Sequence, residues 1–372
     1  MSELGSVILA NLSTTTNGDL IECEPLSKNI TELIIDGPLT LLSIILGIIG
    51  NVRACTFLSS CKLNKRVVAN MTILFAFDSL LLISALFYYC LTSIFELFQI
   101  QIPMDRLIVL FHAPAAITLT ATIWLTVLIT VDRFIAVRRP FMTINGCHWT
   151  NLNGQETFWD NLKFYKMPLL VVVVAVIINI PIFFEMRYHD CKDTILGGLS
   201  KNALPTMLRL DPLYINLYRL AFKLTIETVG PFVLAVVLLT FTQVSIYRSN
   251  ANRMRLAPGS SKDNSEYTVY MMAIIIVVKF LVLHFLRVVL EFWEALYGLS
   301  SFFDTIAKVS NLLVAINSAT NYLVYLGKKP ALKDKKVKRT QPICNVTLSA
   351  SNESHVLMVL HKKAADGEAG DV

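Results

Sequence analysis

The chain has 372 residues, 54% hydrophobic and 16% charged, with a mean hydropathy of +0.58. Soluble domains carry about 25% charged residues, so this composition excludes an ordinary soluble globule and points to a bilayer. The formal net charge of +6 is unevenly spread and is a topology signal, not a nucleic-acid footprint.

Residues 1–37 are polar and acidic with no early apolar core, so no cleaved signal is expected and the first span would act as its own insertion signal. Seven stretches then read as long enough to span: about 38–58, 68–92, 107–137, 167–186, 213–247, 267–293 and 302–326. Segments 1–37, 93–106, 187–212 and 294–301 hold 6 Lys+Arg and 12 Asp+Glu; segments 59–67, 138–166, 248–266 and 327–372 hold 20 and 9. Basic segments stay in the cytoplasm, so an outer N-terminal segment 1–37, a membrane domain 38–326 and a cytoplasmic tail 327–372 are expected. The sequons at Asn11 and Asn29 fall on the expected outer side and mark glycosylation. Of seven cysteines, Cys23, Cys90 and Cys191 lie outside or at the outer rim, where disulfides form. No CxxC or Cys/His cluster suggests a metal site.

Span 1 carries Gly47-Ile-Ile-Gly50-Asn51, in which two small residues permit close helix packing beside a polar anchor. Span 2 holds Asp78, and a carboxylate in mid-membrane is costly unless it is used. Span 3 runs through Thr122-Ile-Trp-Leu into Asp132-Arg133-Phe134, with apolar residues on both sides of the charged pair. Arg138 and Arg139 read instead as flanking charges that snorkel to headgroups. Span 4 ends Asn179-Ile-Pro-Ile-Phe-Phe-Glu185. Span 5 carries Gly230-Pro231-Phe232, and a proline inside a helix kinks it. Span 6 holds Lys279, His284 and Arg287 among apolar neighbours, which favours an interior-facing position for all three. Arg287 and Glu291 stand one turn apart, so Glu291 is expected to neutralise Arg287. Span 7 ends Asn317-Ser-Ala-Thr-Asn321-Tyr322-Leu-Val-Tyr325. After it, Gly327-Lys-Lys-Pro-Ala-Leu suggests a short amphipathic surface helix, followed by a basic patch at Lys333–Arg339 and a disordered tail.

Together these motifs resemble the rhodopsin-like (class A) G-protein-coupled receptors, which are all-α membrane proteins with a seven-helix bundle. Asp132-Arg133-Phe134 stands where that class has Asp-Arg-Tyr, and Asn317 to Tyr325 matches its Asn-Pro-x-x-Tyr with Tyr322 replacing proline. The resemblance implies G-protein coupling and switching through Asp132, Arg133, Pro140, Phe141, Asn321 and Tyr325, with Glu266 capping Arg133 in the inactive state. It also implies a connector of Ile123, Pro231 and Phe280, with His284 in place of the usual tryptophan. Asp78, Thr122, Asn317 and Asn321 occupy the positions of a sodium-binding cluster, so a sodium ion is implied as an allosteric modulator, with no other cofactor. Four departures stand out. Ala115 replaces the aspartate that pairs with amine ligands, and Leu286 replaces the span 6 proline. Tyr322 replaces the span 7 proline. Ile108 replaces the usual disulfide cysteine, leaving Cys191 to pair with Cys90, Cys23 or nothing.

A narrower resemblance, over about residues 38–330, is to invertebrate FMRFamide-peptide receptors. It rests on Trp124 to Val137, Asn-x-Pro-x-Phe-Phe-Glu at 179–185, Val-Leu-Glu-Phe-Trp-Glu-Ala at 289–295, and 311–325. It implies an extracellular amidated neuropeptide as ligand, a heterotrimeric G protein and arrestin as partners, contact with membrane lipids, and a plasma-membrane location. A ligand arginine wants a desolvated carboxylate. The pocket candidates are Glu185, Glu291 and Asp304, with Arg287 beside them, although such acids are also ordinary rim charges.

Other classes fit less well. A transporter would show internal repeats and broken helices, and neither is visible. His112, His189 and His284 have no Cys or Asp partner at useful spacing, so the chain does not read as an enzyme. Ala315 stands where a retinal receptor needs lysine. The alternative is a divergent receptor-like protein with impaired switching.

Overall fold

The computed structural model describes residues 29–60, 65–100, 105–138, 158–192, 199–256, 264–297 and 301–326. Seven long helices account for most of them. Helix α1 runs from Ile30–Ile34 through a π turn at Ile35–Leu39 into Thr40–Ser60. Pro38 has no N–H to give to the ladder, and the Thr40 hydroxyl donates to the Ile35 carbonyl at 2.8 Å across the widened turn. Helix α2 comprises Lys65–Ala85, a π turn at Leu86–Cys90 and Leu91–Leu97. It closes at Gln99, whose φ of 56° is left-handed, while Ile100 N–H donates back to the Phe95 carbonyl at 2.8 Å.

Helix α3 (Asp105–Arg138) is central: it packs against α2, α4 (Phe158–Ile178), α5 and α6. Its 34 residues make a rod of about 51 Å at 1.5 Å per residue, longer than the ~30 Å hydrocarbon layer. Asn179 ends α4, its side-chain amide donating to the Ala175 carbonyl at 2.8 Å before a 3₁₀ segment, Ile180–Phe184. Helix α5 starts as a π-wound stretch, Tyr214–Val229, and tightens to α at Gly230–Leu256. The change falls one residue before Pro231, which cannot donate to an α ladder. Helix α6 (Asn264–Tyr297) packs on α3, α5 and α7 (Ser301–Leu326), and α7 returns to α1 and α2.

Six of these helices are long and apolar enough to cross a membrane. The seventh, α7, is less apolar because it carries Asn311, Asn317 and Asn321, the last two of which turn inward and are buried. Leu170, Val173 and Ile177 of α4, Val233 and Val237 of α5, and Val282 and Phe285 of α6 are exposed instead. Apolar side chains outside and polar ones within is the arrangement lipid imposes.

Glycines 47 and 50 set the α1–α7 approach. A Cβ at Gly47 would lie 2.7 Å from the Ala319 Cα, and one at Gly50 would lie 2.0 Å from the Tyr322 ring. The aromatic that replaces the expected proline is therefore seated over Gly50. At the far end of the same pair, buried Glu32 of α1 accepts from Lys308 and from the Thr305 hydroxyl of α7.

The helices run past the expected spans at the starts of α1 and α4, reaching Ile30 and Phe158, and at the ends of α2 and α5, reaching Leu97 and Leu256, whereas α4 itself stops at Ile178, short of the expected 186. One further departure from an all-helical reading is a hairpin of β1 (Met186–Lys192) and β2 (Leu199–Pro205), antiparallel, with Met186 opposite Pro205 and Lys192 opposite Leu199. Neither strand holds a Val, Ile or Thr, so propensity did not signal it. It is tied to the start of α3: Asp105 accepts the Ala203 N–H at 3.2 Å, and the Tyr188 hydroxyl donates to the Arg106 carbonyl at 3.1 Å.

Candidate functional site

A buried polar core lies where α1, α2, α6 and α7 meet. Asp78 is fully buried and accepts from the Asn321 amide at 2.6 Å. The amide oxygen of Asn321 in turn accepts from Lys279 Nζ at 2.5 Å. The same ammonium donates to the Asn317 carbonyl at 2.7 Å and to the Thr320 hydroxyl at 3.1 Å, so all three of its protons are used. From α1, Asn51 donates to the Ser318 carbonyl at 3.3 Å. Three helices, α1, α2 and α6, are thus tied to one stretch of α7.

The sodium expectation calls for Asp78, Thr122, Asn317 and Asn321 to converge. Asp78 and Asn321 do come together, and Asn317 joins them through its backbone. Thr122 does not: its hydroxyl donates to its own helix, to the Leu119 carbonyl at 2.9 Å. The positive charge in the niche is Lys279, an ammonium carried by α6. Asp78 Oδ1 and Asn317 Oδ1 are buried acceptors without a hydrogen-bond partner among the described residues. Yet the carboxylate and the ammonium already neutralise each other, and a second cation would leave an uncompensated buried charge. The residues present do not fit a sodium ion.

At the far end of α3, Asp132 is buried, accepts from the Asn70 amide and pairs with Arg66 at 2.7 Å, both on α2. Arg133 borders a small cavity between α3, α5 and α6 with Thr130, Leu239, Thr242 and Val277. Arg138 does not simply flank the helix: its guanidinium lies 5.0 Å from the Phe134 ring centroid and 6.0 Å from that of Phe241 on α5. Such cation–π contacts stack a charge on the aromatic faces of a helix seam. Glu266 lies on α6 and Tyr325 on α7, but their side chains, like Pro140, Phe141 and Asn11, fall outside the described residues. Asn29 is exposed at the start of α1.

Between the two ends, Ile123 of α3, Ala235 of α5, and Val277 and Phe280 of α6 form one buried cluster. Pro231 stands one turn before Ala235, at the start of the α-wound part of α5. His284 is buried at 4% exposure, with its ring 4.5 Å from Phe280. Among the described residues neither of its nitrogens makes a well-formed hydrogen bond, so it acts here as a packed ring. Above it, Ile123, Phe232, Phe280, His284 and Arg287 line a second cavity with Glu227. Glu227 is an acid that sequence reading passed over. One oxygen accepts from the Thr120 hydroxyl at 2.8 Å, which itself accepts from the Asn179 amide at 3.0 Å; the other pairs with Lys223 at 3.2 Å.

The hairpin end holds a further knot. Glu185 accepts from the Tyr214 hydroxyl at 2.8 Å and meets His112 at 3.0 Å, and the other His112 nitrogen lies 3.1 Å from the Tyr88 hydroxyl. His112 therefore has the partner that spacing did not reveal, 73 residues away. Burial alone would push the Glu185 carboxyl up. The hydrogen bonds from His112 and Tyr214, with Arg209 and Arg219 nearby, outweigh it and hold the group down at about 2. Both Glu185 oxygens are thus occupied. Arg287 and Glu291 pair at 2.9 Å, and Asp304 is exposed at the start of α7. Cys90 is removed as a partner for Cys191: it is a buried free thiol directed at the Gly37 carbonyl, 3.4 Å away.

Seven long helices around buried polar groups, six of them long and apolar enough to cross a membrane, define a multi-pass membrane bundle. No family model matches the chain. It is similar to the FMRFamide receptor of Drosophila melanogaster, 28% identical over 310 residues, which cover 81% of this chain and 53% of that protein. It is also similar to the probable G-protein coupled receptor frpr-1 of Caenorhabditis elegans, 23% identical over 316 residues, 82% of this chain and 79% of that one. The chain thus spans about half the length of the first relative. Both relatives are named as receptors, one for FMRFamide and one as a probable G-protein coupled receptor.

Proposed function

We propose that the protein is a plasma-membrane receptor for an extracellular amidated peptide, FMRFamide-like, that passes agonist binding to a heterotrimeric G protein. The observation that carries this reading is the similarity to the Drosophila receptor across four-fifths of the chain. On this reading the hairpin end faces outward, as the charge distribution along the sequence requires. The cavity walled by Glu227, His284 and Arg287 is the floor of the ligand site. Glu185 shapes that site by holding His112 and Tyr214. The cluster of Ile123, Phe280 and Ala235 couples the floor to the Asp132–Arg133 end, where the G protein docks.

Cells expressing the protein, with surface display verified by an N-terminal tag, are exposed to a panel of peptides ending Arg-Phe-amide and their free-acid forms, read by calcium and cAMP. The amidated forms raise a dose-dependent response and the free acids do not. A flat response to every amidated peptide at verified surface display overturns the reading.

A further inference from the structure

The feature that neither the resemblance nor the relatives explain is Lys279. A lysine in the apolar middle of a membrane helix is costly, and here it is fully engaged. Its three protons go to the Asn317 carbonyl, the Thr320 hydroxyl and the Asn321 amide oxygen. Asn321 turns its amide N–H₂ to Asp78, so one side chain is held at both ends, by the cation on α6 and the carboxylate on α2.

We propose that Lys279 is the resident cation of the Asp78 niche, a covalently attached ammonium standing where a diffusible monovalent cation would otherwise sit, and that the protein is therefore insensitive to sodium. Three observations carry this. The donor count of the ammonium matches the acceptors that meet it. The niche is neutral with Lys279 in place, so a further cation would add an unpaired buried charge. Thr122, which a cation cluster would draw in, is turned to its own backbone. The ammonium is also present at every bulk salt concentration, because tethering fixes its local concentration. The remaining acceptors, Asp78 Oδ1 and Asn317 Oδ1, suit a neutral hydrogen-bond donor.

The consequence is mechanical as well as ionic. A bound ion holds an inactive state only while salt is present. An ammonium on α6 moves with α6, so any displacement of that helix relative to α7 must break or remake three hydrogen bonds at Asn317, Thr320 and Asn321. The cation is then part of the helix–helix interface instead of a modulator of it.

The test is a thermal melt of the purified full-length protein, without peptide, in NaCl and in N-methylglucamine chloride at equal ionic strength. No ligand enters it, so its outcome is independent of the peptide-receptor reading. The wild type melts at the same temperature in both salts. Lys279→Gln keeps a hydrogen-bond donor but removes the charge, and Lys279→Met removes both. In either variant sodium raises the melting temperature as a bound ligand does, and adding Asp78→Asn abolishes the rise. Agonist potency gives a second readout: unchanged by sodium in the wild type, and lowered about 5-fold or more in Lys279→Gln, the lower end of typical allosteric coupling. A sodium-dependent melt of the wild type overturns the proposal, whether or not the variants fold. A folded Lys279→Gln with no sodium response overturns it too.

Discussion

The side chains that organise this bundle are buried polar groups, and each is costly to leave half-paired. Glu185 shows the rule at the hairpin end. Its carboxyl is held at about 2 against an ordinary value of 4.5, so the stability it contributes is fully present above pH 4.5 and is lost as pH falls towards 2. Glu185→Gln should therefore melt lower than wild type at neutral pH, by the equivalent of about 1–3 kcal/mol, because one of the two oxygens that face His112 and Tyr214 becomes an NH₂ and the other loses its charge. The gap between the two proteins should narrow as pH falls from about 5 to 3. A gap that stays constant over that interval would contradict the ionised role. Sequence reading found Glu185 but not His112 as its partner, nor Glu227 at all. Glu185 is identified by His112 across the bundle on α3, and Glu227 by Thr120 on α3, although the Lys223 partner of Glu227 lies only one turn away on its own helix. Sequence spacing reports neighbours on one helix only, which is why the Arg287–Glu291 pair was legible.

Helix seams follow the same division. The two glycines of α1 announced close packing, but their partners, Ala319 and Tyr322, lie on α7 and share no local pattern with them. The seam explains why an aromatic can replace proline in α7: the ring lies against the missing side chain of Gly50. Gly50→Ala should destabilise the bundle by about 1–3 kcal/mol, the usual cost of overpacking a filled interface. Tyr322→Ala in the same chain should recover most of that loss. Melts of the two single variants and the double variant check this, and simple additivity would remove the Gly50–Tyr322 contact from the account. The helices themselves were legible from apolar length. The hairpin was not, since its strands carry no β-branched residue and are placed by Asp105 and Tyr188 at the mouth of α3.

Across the whole molecule, buried polar groups sit at several depths, and one apolar cluster lies between the Glu227 cavity and the Arg133 cavity. On the proposed reading, the Asp132–Arg133 end responds to events at the Glu227 floor through Ile123, Phe280 and Ala235. The family resemblance adds an acid, Glu266, that holds Arg133 in the inactive state. If that restraint operates, Glu266→Ala raises basal signalling at matched surface display, by shifting population towards the active state, while Arg133→Ala silences the response. Equal basal activity in wild type and Glu266→Ala would discard the restraint. The overall organisation was legible because membrane insertion is written into composition and charge. What was not legible is the placement of Lys279 beside Asp78, because Lys279 reaches Asn317, Thr320 and Asn321 only once α6 and α7 are side by side.

The central claim is that an amidated peptide bound at the hairpin end drives a G protein at the Asp132 end. Nucleotide exchange on purified heterotrimer, added to membranes containing the protein, tests it most directly. The account predicts that a peptide ending Arg-Phe-amide accelerates exchange in wild-type membranes, and that Arg133→Ala membranes still bind the peptide but leave exchange at its unstimulated rate. Saturating peptide binding to wild-type membranes with no acceleration of exchange on any heterotrimer would contradict it.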